Sequence, residues 1–448
     1  MAYLSEHPTV KRFQERINAA TAGPPPQKLD AEWLRELCFD AGAADVGFVE
    51  IDRPELADQR AEIIAAFPRV KTLVSLVCRM NRDNVRSLAR SVANLEFHHT
   101  GDEVNEIARK IVAALERRGI RALNPAMGFP TEMDRSGKGK TWVISHKPVA
   151  VAAGRGHMGI HCNVIHPKFG NFILLGTILM DAEMTAYDSP IDYNPCLECK
   201  LCVAACPVGA IGADGQFNFS ACYTHNYREF MGGFTDWVET IADSKNALDY
   251  RKKVSDSESA SMWQSLSFGA NYKSAYCMAV CPAGEDVIGP FLTDRKGYLK
   301  EVVKPLQEKE ETVYVIPGSD AEAYVARRFP KKKSRKIGNG LRTRSIRAFL
   351  VGLRQVFQRN QSDGLDATYH FTFTGEEEYK ATVTIRDKTI DVRDGHIGTP
   401  NIRVRADSRM WLGFLAKERS LVWALIRRKI RIQGPPRLLV AFGKCFPS

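Results

Sequence analysis

Residues 194–211 read NPCLECKLCVAACPVGAI, a run that holds Cys196, Cys199, Cys202 and Cys206 and follows the last with Pro207. The spacing C-x2-C-x2-C-x3-C-P lets three thiolates from one tight loop bind a [4Fe–4S] cube. The fourth is turned away by the helix that begins at the proline and reaches a second cluster. Zinc sites usually show paired C-x2-C knuckles instead, so the spacing favours iron–sulfur over zinc. A partner set should end in another Cys-Pro, and YCMAVCPAG supplies Cys277, Cys281 and Pro282. Cross-ligation makes Cys281 the fourth ligand of the cluster on Cys196, Cys199 and Cys202. Cys206, Cys222 and Cys277 are then left for a second cluster, one ligand short. The position three residues before Cys277 is Ser274. Either Ser274 or another group ligates there, or the second cluster is a three-iron form or absent. Two [4Fe–4S] clusters are thus expected, the second less secure.

Cys38, Cys78, Cys162 and Cys445 are scattered, and they read as small buried hydrophobes. Eleven cysteines in a chain whose first twenty residues carry no apolar signal core suit a reducing compartment and metal ligation. A cytoplasmic protein without a transmembrane segment is expected. Four histidines, His146, His157, His161 and His166, fall within twenty-one residues around the glycines of GRGHMG, namely Gly154, Gly156 and Gly159. That string matches a dinucleotide fingerprint literally, but it does not sit between a strand and a helix at the head of a βαβ unit. Its glycines instead permit close approach to a cofactor or another element. His146 and His161 are candidates for proton donation to a bound substrate. Tyr223 and His225, beside Cys222, read as groups supporting a cluster.

The order C-x2-C-x2-C-x3-CP, a lone cysteine sixteen residues on, then C-x3-CP resembles epoxyqueuosine reductases and the related corrinoid-dependent reductive dehalogenases. The resemblance extends upstream through HKPVAVAAGRGHMGIHCNVIHPKFGNFILLGTILMD (146–181) and covers roughly residues 30–290. It implies two clusters that pass single electrons to a cobalamin. It also implies a cofactor region holding Gly154, Gly156, Gly159, His157 and Cys162, and an electron donor such as a ferredoxin or flavodoxin. The chain departs from the family at three places. Gly159-Ile160-His161 stands where the family has Gly-Lys-Asn, and Ser145 occupies the position of its acidic proton donor. The C-terminal helical repeats that grip tRNA are missing. Reduction of queuosine in tRNA is therefore not expected, nor is any nucleic-acid partner.

The elements that must position these residues alternate from Asp30 onward. LDAEWLRELCFDAG has helical spacing with Asp30 as N-cap, and ADVGFVEI reads as a buried strand. ADQRAEIIAAF, VKTLVSLVC and EVNEIARKIVAALERRG continue helix, strand, helix. The expectation is an α/β N-terminal domain, a ferredoxin-like iron–sulfur module and an α+β C-terminal domain. Boundaries fall at 1–29 (tail ending in AGPPPQ), 30–189 (cofactor domain), 190–300 (cluster module), 301–341 (basic linker) and 342–448. The last region resembles the sterol-carrier-protein-2 fold: a helix carrying Ile346, Phe349, Leu350 and Leu353 on one face, then YHFTFTG, YKATVTIR and TIDVRDG with period two, a helical stretch and KIRIQG. That resemblance implies an apolar tunnel for a lipid or other hydrophobic small molecule.

The net charge of +11 is local, since residues 325–360 hold twelve Lys and Arg and no acid. The KKKSRK run reads as a solvated linker, because RNA binding would want stacking aromatics among its charges. The best overall expectation is an iron–sulfur oxidoreductase reducing a hydrophobic small molecule. The alternative is a ferredoxin-like electron carrier with a lipid-binding or docking domain and no corrinoid.

Overall fold

The structure is a computed structural model that describes residues 4–19, 28–135, 140–338 and 342–447; the AGPPPQ segment (22–27) lies outside the described residues. Within the first region, four strands form one sheet: β1 (Asp45–Glu50), β2 (Thr72–Arg79), β3 (Ala122–Leu123) and β6 (Ile173–Met180), in the order β1-β2-β6-β3. Every pairing in it is antiparallel. The expected alternation of helix and strand is present, but it builds no parallel dinucleotide-binding unit. Asp30 caps the helix Ala31–Asp40, its carboxylate accepting from the amides of Glu32 and Trp33.

The sheet is covered on both sides. Val104, Ile107, Ile111 and Leu115 of the long helix Arg90–Arg117 pack with Leu34, Phe48, Val74, Leu76 and Ile178. On the other face Ile63, Leu73 and Leu179 meet Val149, Ala152 and Ala153 of the helix His146–Ala152 and its end. Strand β6 has no polar–apolar alternation, because both of its faces are buried, and period-two reading passes over it. A small hairpin of β4 (His157–Met158) and β5 (Val164–Ile165) follows that short helix.

The cluster module is made of turns and short helices. The polar insert 243–261 is helical, in Ala247–Lys253 and Asp256–Phe268. It is tied down by a buried charge network in which Arg228 pairs with Asp236 at 2.6 Å and with Glu258 at 3.1 Å.

The expected linker at 301–341 is instead folded. β7 (Thr312–Val315) and β8 (Lys333–Lys336) pair in parallel around the helix Asp320–Arg328. Val313, Val315, Ala321 and Val325 pack against Cys202, Cys206 and Ile211. The KKKSRK run is thus structural. Lys332 is buried, and its ammonium donates to Glu311 at 2.7 Å and to the carbonyls of Leu306 and Lys309. Arg335 pairs with Glu258. A charge pattern hid this unit because its basic groups are neutralised by acids far away in sequence.

The C-terminal region is a five-stranded sheet of β9 (Ala367–Thr374), β10 (Tyr379–Arg386), β11 (Thr389–Asp394), β12 (Ile402–Asp407) and β13 (Ile430–Gln433), in the order β11-β10-β9-β12-β13. β9 and β12 are parallel, and the other neighbours antiparallel. Helices Ile346–Val356, Ser408–Leu415 and Pro436–Lys444 contribute to one core. That core is filled by aromatic rings: Trp411 meets Phe349, Phe371 and Phe373 edge-on, and Phe442 lies against Tyr369 and Phe371. Among the described residues no helix is long and apolar enough to cross a membrane.

Candidate iron–sulfur and substrate site

The two Cys-Pro motifs share one local geometry. Lys200, in left-handed conformation at φ 61°, precedes the helix Leu201–Ala205 that ends at Cys206. Ala275, at φ 53°, likewise precedes Tyr276–Ala279, and Cys281 follows. The repeat makes Cys277 the counterpart of Cys202, Cys281 that of Cys206, and Ser274 that of Cys199.

Cys196, Cys199, Cys202 and Cys281 line one recess of about 280 Å³ together with Ile160, His161 and Pro282. Burial and the neighbouring cysteines push the Cys281 thiol up to about 12. The Cys202 thiol is raised by burial and then by Cys277, Cys281 and Cys199. Four thiolates cannot share such a space uncompensated, and an iron–sulfur cluster is the kind of group that would supply the positive charge. Cys206, Cys222 and Cys277 form the second group: Cys277 is raised to about 12 by burial and then by Cys206, and Cys222 by burial and then by Cys277 and Cys206. The Cys206 sulfur accepts from the Ala210 amide at 3.3 Å, and the amides of Val208, Gly209 and Ile211 favour its thiolate too. Such a nest of amides is what a cluster thiolate uses. Gly209, at φ 63°, leaves room for the ring of Tyr324, which would lie 2.6 Å from a Cβ there.

The four histidines are all held by hydrogen bonds. His146 holds Thr177 Oγ1 at 2.8 Å on Nδ1 and the Ala126 carbonyl at 3.1 Å on Nε2. A carbonyl only accepts, so Nε2 carries the proton and Nδ1 takes the Thr177 hydroxyl hydrogen. Burial lowers its pKa and keeps the ring neutral. His161 accepts the Asn163 amide on Nδ1, so Nε2 carries the ring proton and faces the Asn171 side-chain amide at 3.0 Å, whose otherwise unpartnered Oδ1 accepts it when the amide is turned. It is 3% exposed, with its pKa lowered to about 4 by burial. Both rings are thus held in hydrogen bonds within the protein. His166 bridges to Asp45 at 2.8 Å, and His157 contacts the Met158 carbonyl.

The glycines are likewise packing positions. A Cβ on Gly154 would clash with the Ser189 carbonyl oxygen, and one on Gly156 with that of Ile165. On Gly159 it would meet the Ile165 and His161 side chains. At these glycines the backbone is approached closely by protein atoms. Cys162 stands apart from Cys38 and Cys78, whose thiols burial pushes up to about 12; it is half-buried and close to Cys222.

Lys147 was missed by sequence reasoning. It keeps exposed surface, yet burial lowers its pKa, opposed by Cys162, Cys277 and Cys222. Its ammonium donates to the Cys162 carbonyl at 2.6 Å and to Asn163 Oδ1 at 3.0 Å. The ammonium is within electrostatic reach of the second cysteine group while part of the side chain meets solvent. The signal was available: Lys147 lies in the first turn of a helix, the end where positive charge is disfavoured. Tyr227 faces the same cysteines, stacks on Tyr223 and meets Tyr272 edge-on at 5.6 Å.

The paired Cys-Pro motifs and their two sulfur-lined sites define a protein of the [4Fe–4S] class, and residues 189–212 match the family of the 4Fe-4S binding domain. An epoxyqueuosine reductase of Lactococcus garvieae is 31% identical over 298 residues, covering 63% of this chain and 72% of that protein. The chain belongs to the epoxyqueuosine reductase family. The similarity to the Bacillus anthracis epoxyqueuosine reductase is 27% over 123 residues, 25% of this chain and 32% of that one, so the chain spans about a third of that relative's length. A crystal structure of epoxyqueuosine reductase with a tRNA-Tyr epoxyqueuosine-modified stem loop superposes with TM-score 0.32 at 21% identity, covering 43% of this chain and 56% of that one.

Membership of this family overturns the expectation of a hydrophobic small-molecule or lipid substrate and no nucleic-acid partner. The structure supplies physical reasons. The C-terminal core is occupied by Phe349, Phe371, Phe373 and Trp411. Tyr324 beside Arg327, and Phe357 between Arg354 and Arg359, line one open groove with Lys388 and Asp320, in which Arg354, Arg359 and Lys388 are paired with Asp391, Asp214 and Asp363.

Proposed function

We propose that this protein is an iron–sulfur reductase acting on a modified nucleoside of the epoxyqueuosine kind carried on RNA. The observation that carries the reading is Lys147, a proton-bearing group desolvated beside Cys222 and Cys277. Reducing an epoxide to an alkene takes two electrons and two protons and releases water. The sulfur-lined sites suit one-electron relay, and Lys147 holds a proton at Nζ where an acid is needed. With Ser145 at the family's acidic position and both histidine rings engaged, Lys147 takes over proton supply.

The resemblance to corrinoid-dependent reductases makes a corrinoid the group we infer beside the second cysteine group. Lys147, Tyr223, Tyr227 and Tyr272 would flank it, their rings offering flat apolar walls and Lys147 a polar point. Such a group, when bound, supplies a low-potential metal able to deliver electrons singly to carbon or oxygen. The groove holding Arg327, Arg354, Tyr324 and Phe357 combines the charge and stacking surfaces that RNA uses. The C-terminal sheet order, with its parallel β9–β12 pair after three meandering strands, supports kinship with the sterol-carrier-protein-2 fold. Its role here is to build one wall of that groove.

The test is anaerobic purification with cobalamin supplied, followed by iron and cobalt analysis and an optical spectrum. About eight irons and one cobalt per chain are expected. Iron without cobalt would remove the corrinoid, and no iron would remove the reductase reading altogether.

A further inference from the structure

The second cysteine group, Cys206, Cys222 and Cys277, offers three thiolates where a [4Fe–4S] cube takes four. The pseudo-repeat of the Cys-Pro motifs puts Ser274 at the counterpart of Cys199, and Ser274 is engaged elsewhere. Its hydroxyl donates to Asn226 Oδ1 at 3.1 Å, and the same oxygen accepts the amides of Ser274 and Ala275 at 3.0 and 2.9 Å. A serine ligates iron as an alkoxide, and this one has its hydrogen committed to a buried amide.

We propose that Cys162 supplies the missing fourth thiolate of the second cluster. Cys162 lies on the turn between β4 and β5, its amide donating to the Gly159 carbonyl at 2.9 Å. That turn reaches both cysteine groups: Ile160 and His161 line the recess of the first, and Ile160 packs against the buried cluster of Cys202, Cys206 and Ile211 that Cys222 and Cys277 also border. The Cys162 thiol lies within electrostatic reach of Cys222, and the Lys147 ammonium, within reach of Cys222 and Cys277, bonds the Cys162 carbonyl. The backbone of Cys162 is left-handed at φ 59°, as it is at Glu198 and Lys200 in the first cysteine loop. A non-glycine residue is strained there, and the surrounding fold must impose that conformation. On binding iron the thiol loses its proton to solvent, and no electron transfer is required for assembly.

This inference rests on the iron–sulfur reading above, and the test separates the two. The full chain, wild type and with Cys162→Ala, Ser274→Ala or Cys222→Ala, is purified anaerobically. Iron and sulfide per chain are measured with electron paramagnetic resonance of oxidised and reduced protein. The wild type is expected to hold about eight irons, Ser274→Ala the same, and Cys222→Ala fewer. Cys162→Ala is expected to lose one to four irons and to show a three-iron signal when oxidised or no second-cluster signal when reduced. The first cluster is expected to persist as the folding control. Should Cys162→Ala fail to fold, Cys162→Ser carries the test, through a changed second-cluster signal as oxygen replaces sulfur. A Cys162 variant with about eight irons and the wild-type spectrum overturns the ligand assignment and leaves the reductase reading standing. A wild type with about four irons overturns both the second cluster and its proposed ligand.

Discussion

Lys147 and His146 are adjacent in sequence and opposite in role. His146 is held neutral between Thr177 and Ala126, whereas Lys147 stands desolvated beside Cys222 and Cys277. Lys147→Gln should lower turnover by about 10²–10⁴-fold, the span of a lost proton donor, with iron content unchanged. Single-turnover rates beside iron analysis check this. His146→Phe should instead lower stability by about 1–3 kcal/mol, because the Ala126 carbonyl loses its donor in a buried place; the urea midpoint reads it.

Buried neutral histidines also set a pH dependence. Burial lowers His146, and it lowers His225 to about 3, so the unfolded chain takes up protons more readily than the native one. Their contribution is complete above the unfolded pKa near 6.5 and is lost as pH falls below it. At pH 5 the cost from His225 alone is about 2 kcal/mol, measurable as a lower urea midpoint than at pH 7.5. At this scale the cysteines were legible because their identity and spacing carry the chemistry. Lys147 was not, because its meaning comes from Cys222 and Cys277, distant in sequence.

Among elements, the hairpin strands β9 to β11 were legible through alternation, since one face packs on helices and the other meets solvent. β12 also alternates, in IRVRAD, and was passed over between two glycine- and proline-rich turns and a helix. The unit of β7, β8 and the helix Asp320–Arg328 was hidden by its charge. Lys332→Met should cost about 1–3 kcal/mol, since Glu311 would lose its 2.7 Å ammonium partner and keep only Lys309 at 3.9 Å and the Tyr276 hydroxyl. Thermal unfolding of the iron-loaded chain would show it, with loss of second-cluster signal on heating, because this unit packs on Cys206. The GRGHMG glycines offer a contrasting test. Gly154→Ala, at φ +71° and against the Ser189 carbonyl, should destabilise by about 3 kcal/mol while leaving cobalt content per folded chain unchanged.

At the scale of the whole molecule, the two sulfur-lined sites lie in the module between the antiparallel sheet domain and the C-terminal sheet. The groove of Arg327, Arg354, Arg359 and Lys388 is walled by the unit 312–336 and by the C-terminal region. Arg327→Glu and Arg354→Glu should each weaken binding of an RNA stem loop and lower the salt slope by about one for each phosphate no longer neutralised; a binding titration at several salt concentrations reads both. The sequence shows Tyr324 near Arg327 and Phe357 between Arg354 and Arg359, but not that folding brings these two segments and Lys388 to one groove. An RNA substrate looked unexpected because Ser145 stands at the family's acidic position and the KKKSRK run holds no aromatic residue. The most direct test is to incubate the anaerobic, iron-loaded, cobalamin-supplied chain and a low-potential reductant with an epoxyqueuosine-bearing RNA stem loop, then weigh the nucleosides after digestion. Loss of one oxygen from the modified nucleoside, abolished in Cys222→Ala, is the predicted result. An unchanged nucleoside with both clusters loaded and reduced would contradict the proposed activity.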